Sequence, residues 1–273
     1  MPPLRLAVIG CGAIGSAVLR HLATEPSVRV AAVVLRDPAS PTGGIARTLA
    51  PGAHVLARLD DAPAPVDLVL ECAGHDALAA HVLPALARGV DCIVTSIGAL
   101  GDAELARRLE QAGHDGGSQL ELVSGAIGAI DALAAARLGG LERVTYVGRK
   151  PASAWQGTPA AALHALEDLD RPLCIFEGSA REAARLYPRN ANVAATVSLA
   201  GLGLDRTQVQ LYADPHAGGN VHELQAEGAF GSLVLTLRGQ PLASNPKTSA
   251  LTVYSALRAV LCLLYTSDAA DEG

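Results

Sequence analysis

Apolar residues in the first half of the chain come in short unbroken runs separated by segments of helical period. The first run, at 4–9, leads into a stretch in which Ala17, Val18, Leu19 and Leu22 recur between polar positions. Further runs lie at 28–35, 66–71, 90–95 and 120–123, with helical patterns over 76–88 and through Leu105 and Leu109. Short apolar runs bounded by turn residues read as strands buried on both faces. Parallel strands need crossover connections, and right-handed ones place helices on both sides of the sheet. The first half is therefore expected to be α/β, a doubly wound parallel sheet.

The pattern changes after about residue 124. Strand-like runs at 144–148, 209–212, 221–225 and 233–237 follow without a helix between each pair. That predicts a second α+β domain with a mostly antiparallel sheet and helices on one face. The expected organisation is a dinucleotide-binding domain over 1–124, completed by a segment at 246–261, and a substrate-binding and dimerisation domain over 125–245. The final helix is expected at about 248–261.

The turn after the first strand reads Gly10-Cys11-Gly12-Ala13-Ile14-Gly15. This G-x-G-x-x-G spacing identifies a Rossmann-type fingerprint only where a strand precedes it and a helix follows, and both conditions hold here. Gly10 allows the tight turn, Gly12 lets a pyrophosphate approach the backbone, and Gly15 lets the helix pack closely. Ala13 and Ile14 open that helix, whose free N–H groups and dipole favour a phosphate. The expected cofactor is NAD or NADP. An acidic residue about 20 positions on would hold a ribose 2′-hydroxyl, and an arginine there would hold a 2′-phosphate. The second strand ends in Arg36-Asp37, which leaves both nucleotides open.

Half of the 273 residues are hydrophobic and 18% are charged, which marks a globular chain. The net charge of −6, without a dense Lys/Arg stripe, argues against nucleic acid as a partner. Five scattered cysteines with no C-x-x-C pair predict reduced thiols, no metal site and a cytoplasmic location. Cys174 reads as a buried, inert thiol in an apolar run. A strand begins almost at once, so no signal peptide is expected. The apolar stretch at 250–265 is interrupted by Arg258 and is short for a membrane span.

More specific motifs lie later in the chain. Gly148-Arg149-Lys150-Pro151 runs on to Trp155-Gln156-Gly157-Thr158-Pro159. Tyr187-Pro188-Arg189-Asn190-Ala191-Asn192 is followed by Asn220-Val221-His222-Glu223 and Asn245-Pro246-Lys247-Thr248-Ser249. With Glu71-Cys72-Ala73-Gly74-His75 and Ser124-Gly125-Ala126-Ile127-Gly128, these segments resemble the L-aspartate dehydrogenase family over nearly the whole chain. The resemblance implies NAD(P)-dependent oxidative deamination of L-aspartate to iminoaspartate, which hydrolyses to oxaloacetate and ammonia or feeds NAD biosynthesis. It also implies that Ala126 and Asn192 contact the dinucleotide and that His222 is catalytic.

Histidine suits that chemistry. The substrate ammonium must lose a proton before hydride can leave Cα, and an imidazole near its ordinary pKa of about 6.5 can take it. Activity should then fall on the acid side as the imidazole protonates. His75, at a strand end, competes for the role, whereas His216 sits in a glycine-rich loop and His114 and His164 read as solvated. For the two substrate carboxylates the candidates are Lys150, Lys247 and Thr248, with Arg149 beside them. Asn190 also reads as a helix N-cap. A homodimer is expected.

The tail from Cys262 onward resembles a translated frame of a transposase adapter used in sequencing libraries, so 262–273 is expected to be non-native. Two other readings stay open at this stage. One is a different two-domain oxidoreductase of the dihydrodipicolinate-reductase or homoserine-dehydrogenase type. The other is a non-catalytic dinucleotide sensor.

Overall fold

The computed structural model describes residues 2–188, 192–243 and 245–271, with the side chains of 246, 247 and 264–271 left out. The chain divides into two compact units, Met1–Val123 with Thr252–Gly273, and Ser124–Leu251.

In the first unit, strands β1 (Leu4–Ile9), β2 (Val28–Val34), β3 (His54–Leu56), β4 (Leu68–Glu71), β5 (Asp91–Val94) and β6 (Leu120–Leu122) form one parallel sheet in the order β3-β2-β1-β4-β5-β6. The order reverses between β1 and β4, which is where open α/β sheets bind their ligands. Leu6, Ala7, Val8 and Ile9 of β1 are at most 1% exposed, as the unbroken apolar run requires.

Helices α1 (Ala13–Leu22), α2 (Pro41–Leu49), α3 (Leu83–Ala87) and α4 (Ala103–Gly116) connect the strands, and α3 is preceded by a single π turn at Leu78–Val82. The apolar positions foreseen for α1 are all buried. The ends of α4 are set by local chemistry. The Asp102 carboxylate accepts the N–H groups of Glu104 and Leu105, and Gly117 closes the helix at φ 63°.

In the second unit, α5 (Ile130–Gly139), α6 (Pro159–Leu163), α7 (Ala180–Leu186) and α8 (Asn192–Ala200) accompany β7 (Leu141–Lys150), β8 (Leu173–Ser179), β9 (Gln208–Ala213), β10 (Asn220–Gly228) and β11 (Gly231–Gly239). The five strands form a sheet in the order β11-β10-β7-β9-β8, antiparallel except for the β7–β9 pair. Alternation along β10 buries His222, Leu224 and Ala226 on one face. The opposite face leaves Val234 of β11 73% exposed. A small hairpin, β12 (Pro241–Leu242) with β13 (Asn245–Ser249), precedes α9 (Ala250–Asp271).

Two expectations need correction. The final helix begins at Ala250, because Thr248 and Ser249 are held in β13. The apolar run around Cys174 does form a strand, β8, whose pairing shifts register between Cys174 and Phe176. Cys174 is exposed, not buried, because β8 is an edge strand. No helix among the described residues is long and apolar enough to cross a membrane.

Candidate active site

The first candidate region lies at the switch point of the parallel sheet. Gly10 takes φ +93° at the end of β1 and donates its N–H to the Val34 carbonyl at 2.8 Å. A Cβ on Gly10 would stand 2.8 Å from the Ala73 Cα, and one on Gly15 would stand 2.1 Å from the Gly10 carbonyl oxygen. Both glycines are therefore required by the packing of the turn itself. Gly12 differs, because a Cβ there would meet nothing within 4 Å. It is the residue before α1, makes no side-chain cap, and is followed by no acidic residue in the first helical turn. The leading N–H groups of α1 are thus left for an anion.

A cleft of about 530 Å³ opens here, lined among others by Gly10, Gly12, Arg36, Gly74 and His75. Its size suits a small ligand or cofactor. The open space over Gly12 is the cradle a pyrophosphate needs, so these residues fit a dinucleotide. Ala13 and Ile14 are half-buried in α1, and the lining is drawn from Gly10 and Gly12, not from them.

Arg36 and Asp37 separate in the structure. Arg36 lines the cleft, whereas the Asp37 carboxylate accepts the N–H of Ala39 at 2.9 Å and so closes its own turn. The far wall is braced by Glu71, which is fully buried. Its Oε1 accepts the N–H groups of Ala73 at 2.6 Å and Gly74 at 2.8 Å.

The second region lies in the second unit, where β7 and β10 are neighbours. His222 stands opposite Gly148 in the antiparallel register and is 2% exposed. Its Nδ1 lies 2.8 Å from the hydroxyl of Tyr146, whose ring stacks at 6.0 Å between centroids. The other ring nitrogen, Nε2, is buried without a hydrogen-bond partner. Buried polar atoms are nearly always paired, so an orphan of this kind calls for an explanation such as a missing ligand.

Burial, and secondarily the Lys150 cation, lower the His222 pKa from 6.5 to about 3. Burial lowers Lys150 from 10.5 to about 8, and its Nζ lies 5.6 Å from the Trp155 ring centroid. Burial alone pushes the Tyr146 phenol upward, so it stays neutral.

Ser249, in β13, carries a second unpaired buried atom, its Oγ. That oxygen would lie 3.2 Å from a Cβ on Gly239, which pairs with Asn220 two residues before His222. Side chains two apart on a strand share a face, so Ser249 approaches the sheet on the side that carries His222.

Other candidates are placed elsewhere. Arg149 follows Gly148 on β7 and so points to the opposite face, where it donates to Glu223 at 3.0 Å and lies 4.2 Å over the Tyr212 ring. His216 is exposed, with Nε2 3.1 Å from the Asp170 carbonyl oxygen. His75 lines the cleft of the first unit, and His114 and His164 are exposed. Ala126 is buried in the turn before α5, Asn192 is half-buried as the first residue of α8, and Thr248 is half-buried in β13. Asn190 and the Lys247 side chain lie outside the described residues. Tyr146 and Ser249 were not foreseen. Tyr146 sits within an apolar strand pattern, and Ser249 was read only as part of its motif.

Comparison with known proteins follows the same division. Residues 10–122 match the family model described as homoserine dehydrogenase, NAD binding domain, and residues 131–263 match aspartate dehydrogenase, C-terminal. An L-aspartate dehydrogenase of Polaromonas sp. is 60% identical over 261 residues, which cover 94% of this chain and 97% of the relative. One from Cupriavidus necator is 58% identical over 258 residues, covering 94% and 96%. The crystal structure of aspartate dehydrogenase from Thermotoga maritima matches with a TM-score of 0.75 at 27% identity, covering 95% of this chain and 96% of that one.

Proposed function

The chain belongs to the L-aspartate dehydrogenase family, and from that premise we propose that it oxidises L-aspartate to iminoaspartate with NAD(P), using His222 to move the proton. The observation that carries the assignment of His222 is its buried Nε2, unpaired while Nδ1 is held by Tyr146.

When bound, the dinucleotide supplies the hydride acceptor. The protein's own part begins at the glycine turn, where Gly12 and the first N–H groups of α1 would hold the pyrophosphate. His222 stays neutral at working pH, so a lone pair on Nε2 is available to take the proton of the substrate ammonium. Loss of that proton lets the nitrogen lone pair develop into the imine as hydride departs. The Lys150 ammonium attracts the carboxylates of L-aspartate. Their charge in turn offsets the cation that depresses His222 and raises the proton affinity of the imidazole. The unpaired Ser249 hydroxyl completes the polar group for the substrate, and Thr248 and Lys247 stay candidates for its carboxylates on the sequence motif alone. Ala126 and Asn192 are assigned to the dinucleotide on the family motif.

The exposed outer face of the second unit's sheet supports a homodimer, and the free cysteines support a cytoplasmic location. Family membership supports a link of the product imine to NAD biosynthesis.

Initial rates with L-aspartate and each nucleotide test the reading. His222→Ala should lose roughly 10²–10⁴-fold in turnover, the worth of a positioned acid–base group. His216→Ala should keep wild-type rates. Retained turnover in His222→Ala would remove the assignment.

A further inference from the structure

The apolar face of β7 carries Tyr146 and Gly148 two residues apart, and both meet the same histidine. Gly148 is the cross-strand partner of His222, and the Tyr146 hydroxyl reaches back to Nδ1 at 2.8 Å. A Cβ built on Gly148 would stand 2.9 Å from that hydroxyl oxygen, 3.3 Å from the ring carbon that bears it and 3.2 Å from Leu211 Cδ2. Gly148 has no positive φ. Its backbone would accept alanine, so the conflict is purely one of space. The tyrosine hydroxyl occupies the volume where any other residue would place its first carbon.

We propose that Tyr146 is a positioning residue for His222, holding the imidazole by Nδ1 so that Nε2 faces the substrate, and that Gly148 is the notch that admits its hydroxyl. The proposal rests on the reading of His222 as the proton-moving group.

A hydroxyl suits this position better than a carboxylate would. It accepts from Nδ1–H while Nε2 holds a lone pair, and it goes on accepting from Nδ1–H once Nε2 has taken the proton. The contact therefore survives both states of the ring, and the hydroxyl adds no charge that would fix the histidine as a cation. Tyr146 is fully enclosed and 1% exposed, so its ring has little freedom to leave the contact. His222 carries no other side-chain hydrogen bond among the described residues. Without the hydroxyl the ring would be free to turn about its Cβ–Cγ bond, and misorientation of a reacting group is costly in rate.

The test uses Tyr146→Phe, Gly148→Ala, the double variant and His222→Ala, with kcat, both KM values and melting temperature measured for each. Tyr146→Phe removes one oxygen and is expected to lower kcat about 10- to 100-fold, with KM for NAD(P) and the melting temperature close to wild type. Gly148→Ala is expected to lower kcat similarly by displacing the hydroxyl. Adding it to Tyr146→Phe should cost much less than it does alone, because the atom it strikes first is already gone. A kcat within twofold of wild type in Tyr146→Phe, while His222→Ala loses turnover, would overturn the positioning role and leave the histidine assignment standing. A kcat loss matched by a lower melting temperature and by rises in both KM values would overturn it in favour of a structural role. Retained turnover in His222→Ala would instead remove the underlying reading.

Discussion

Glu71 and Ser96 are joined at the carboxyl ends of two neighbouring strands. Oε2 of the glutamate accepts the Ser96 N–H at 3.1 Å, and Oε1 accepts its hydroxyl at 2.8 Å. The same carboxylate holds Ala73 and Gly74, so one buried side chain fixes the wall against which Gly10 is packed. Glu71→Ala would leave three backbone N–H groups without their acceptor, each at about 1–3 kcal/mol where water cannot replace it. A clear loss of melting temperature and weaker NADH binding are expected, read by calorimetry. Glu71→Gln should lie between, since its amide oxygen can serve the three donors now on Oε1 while its NH₂ faces the Ser96 N–H. Wild-type affinity in Glu71→Ala would separate the brace from the cleft.

The glycine turn makes a sharper distinction. Gly12→Val should fold like wild type, because its side chain meets no protein atom within 4 Å of the Cβ position, yet it should block a pyrophosphate. Gly15→Val drives a carbon into the Gly10 carbonyl and should lose stability first. NADH titration beside thermal melts discriminates the two. Undiminished NADH affinity in Gly12→Val would place the dinucleotide elsewhere.

Arg36 lines the cleft and Asp37 is tied into its own turn. A guanidinium pairs well with a phosphate, so Arg36→Ala is expected to weaken NADP binding more than NAD binding. Equal effects on both nucleotides would put Arg36 outside the adenosine subsite.

His222 sets a pH signature. An ordinary imidazole would place the acid limb of activity near its usual pKa, about 6.5, but burial and Lys150 move this one to about 3. Below 6.5 the unfolded chain binds a proton that the native state refuses, so stability falls as pH drops from 6.5 toward 3 and the full value is present above 6.5. His222→Gln should flatten that slope in urea unfolding compared at pH 5 and pH 7. Identical slopes in variant and wild type would show that the native histidine titrates normally.

The parallel sheet and the glycine turn could be read from the sequence because both are local. Unbroken apolar runs report burial on two faces, the glycines at 10 and 15 report where a side chain cannot stand, and Gly12 reports where a pyrophosphate needs open backbone. His222 stood out only through the Asn-Val-His motif, since one histidine among eight carries no mark of its own. Long-range pairing decided the rest. Arg149 and Lys150 look equivalent in the sequence, yet the strand pleat sends Arg149 to Glu223 and Tyr212 while the Lys150 cation acts on His222. Tyr146 meets a histidine 76 positions away because β7 and β10 pair in one register, and a slip of a single residue would turn its side chain to the other face. Periodicity is a property of neighbours along the chain, whereas the depressed pKa and the orphaned nitrogen of His222 depend on which strands lie side by side.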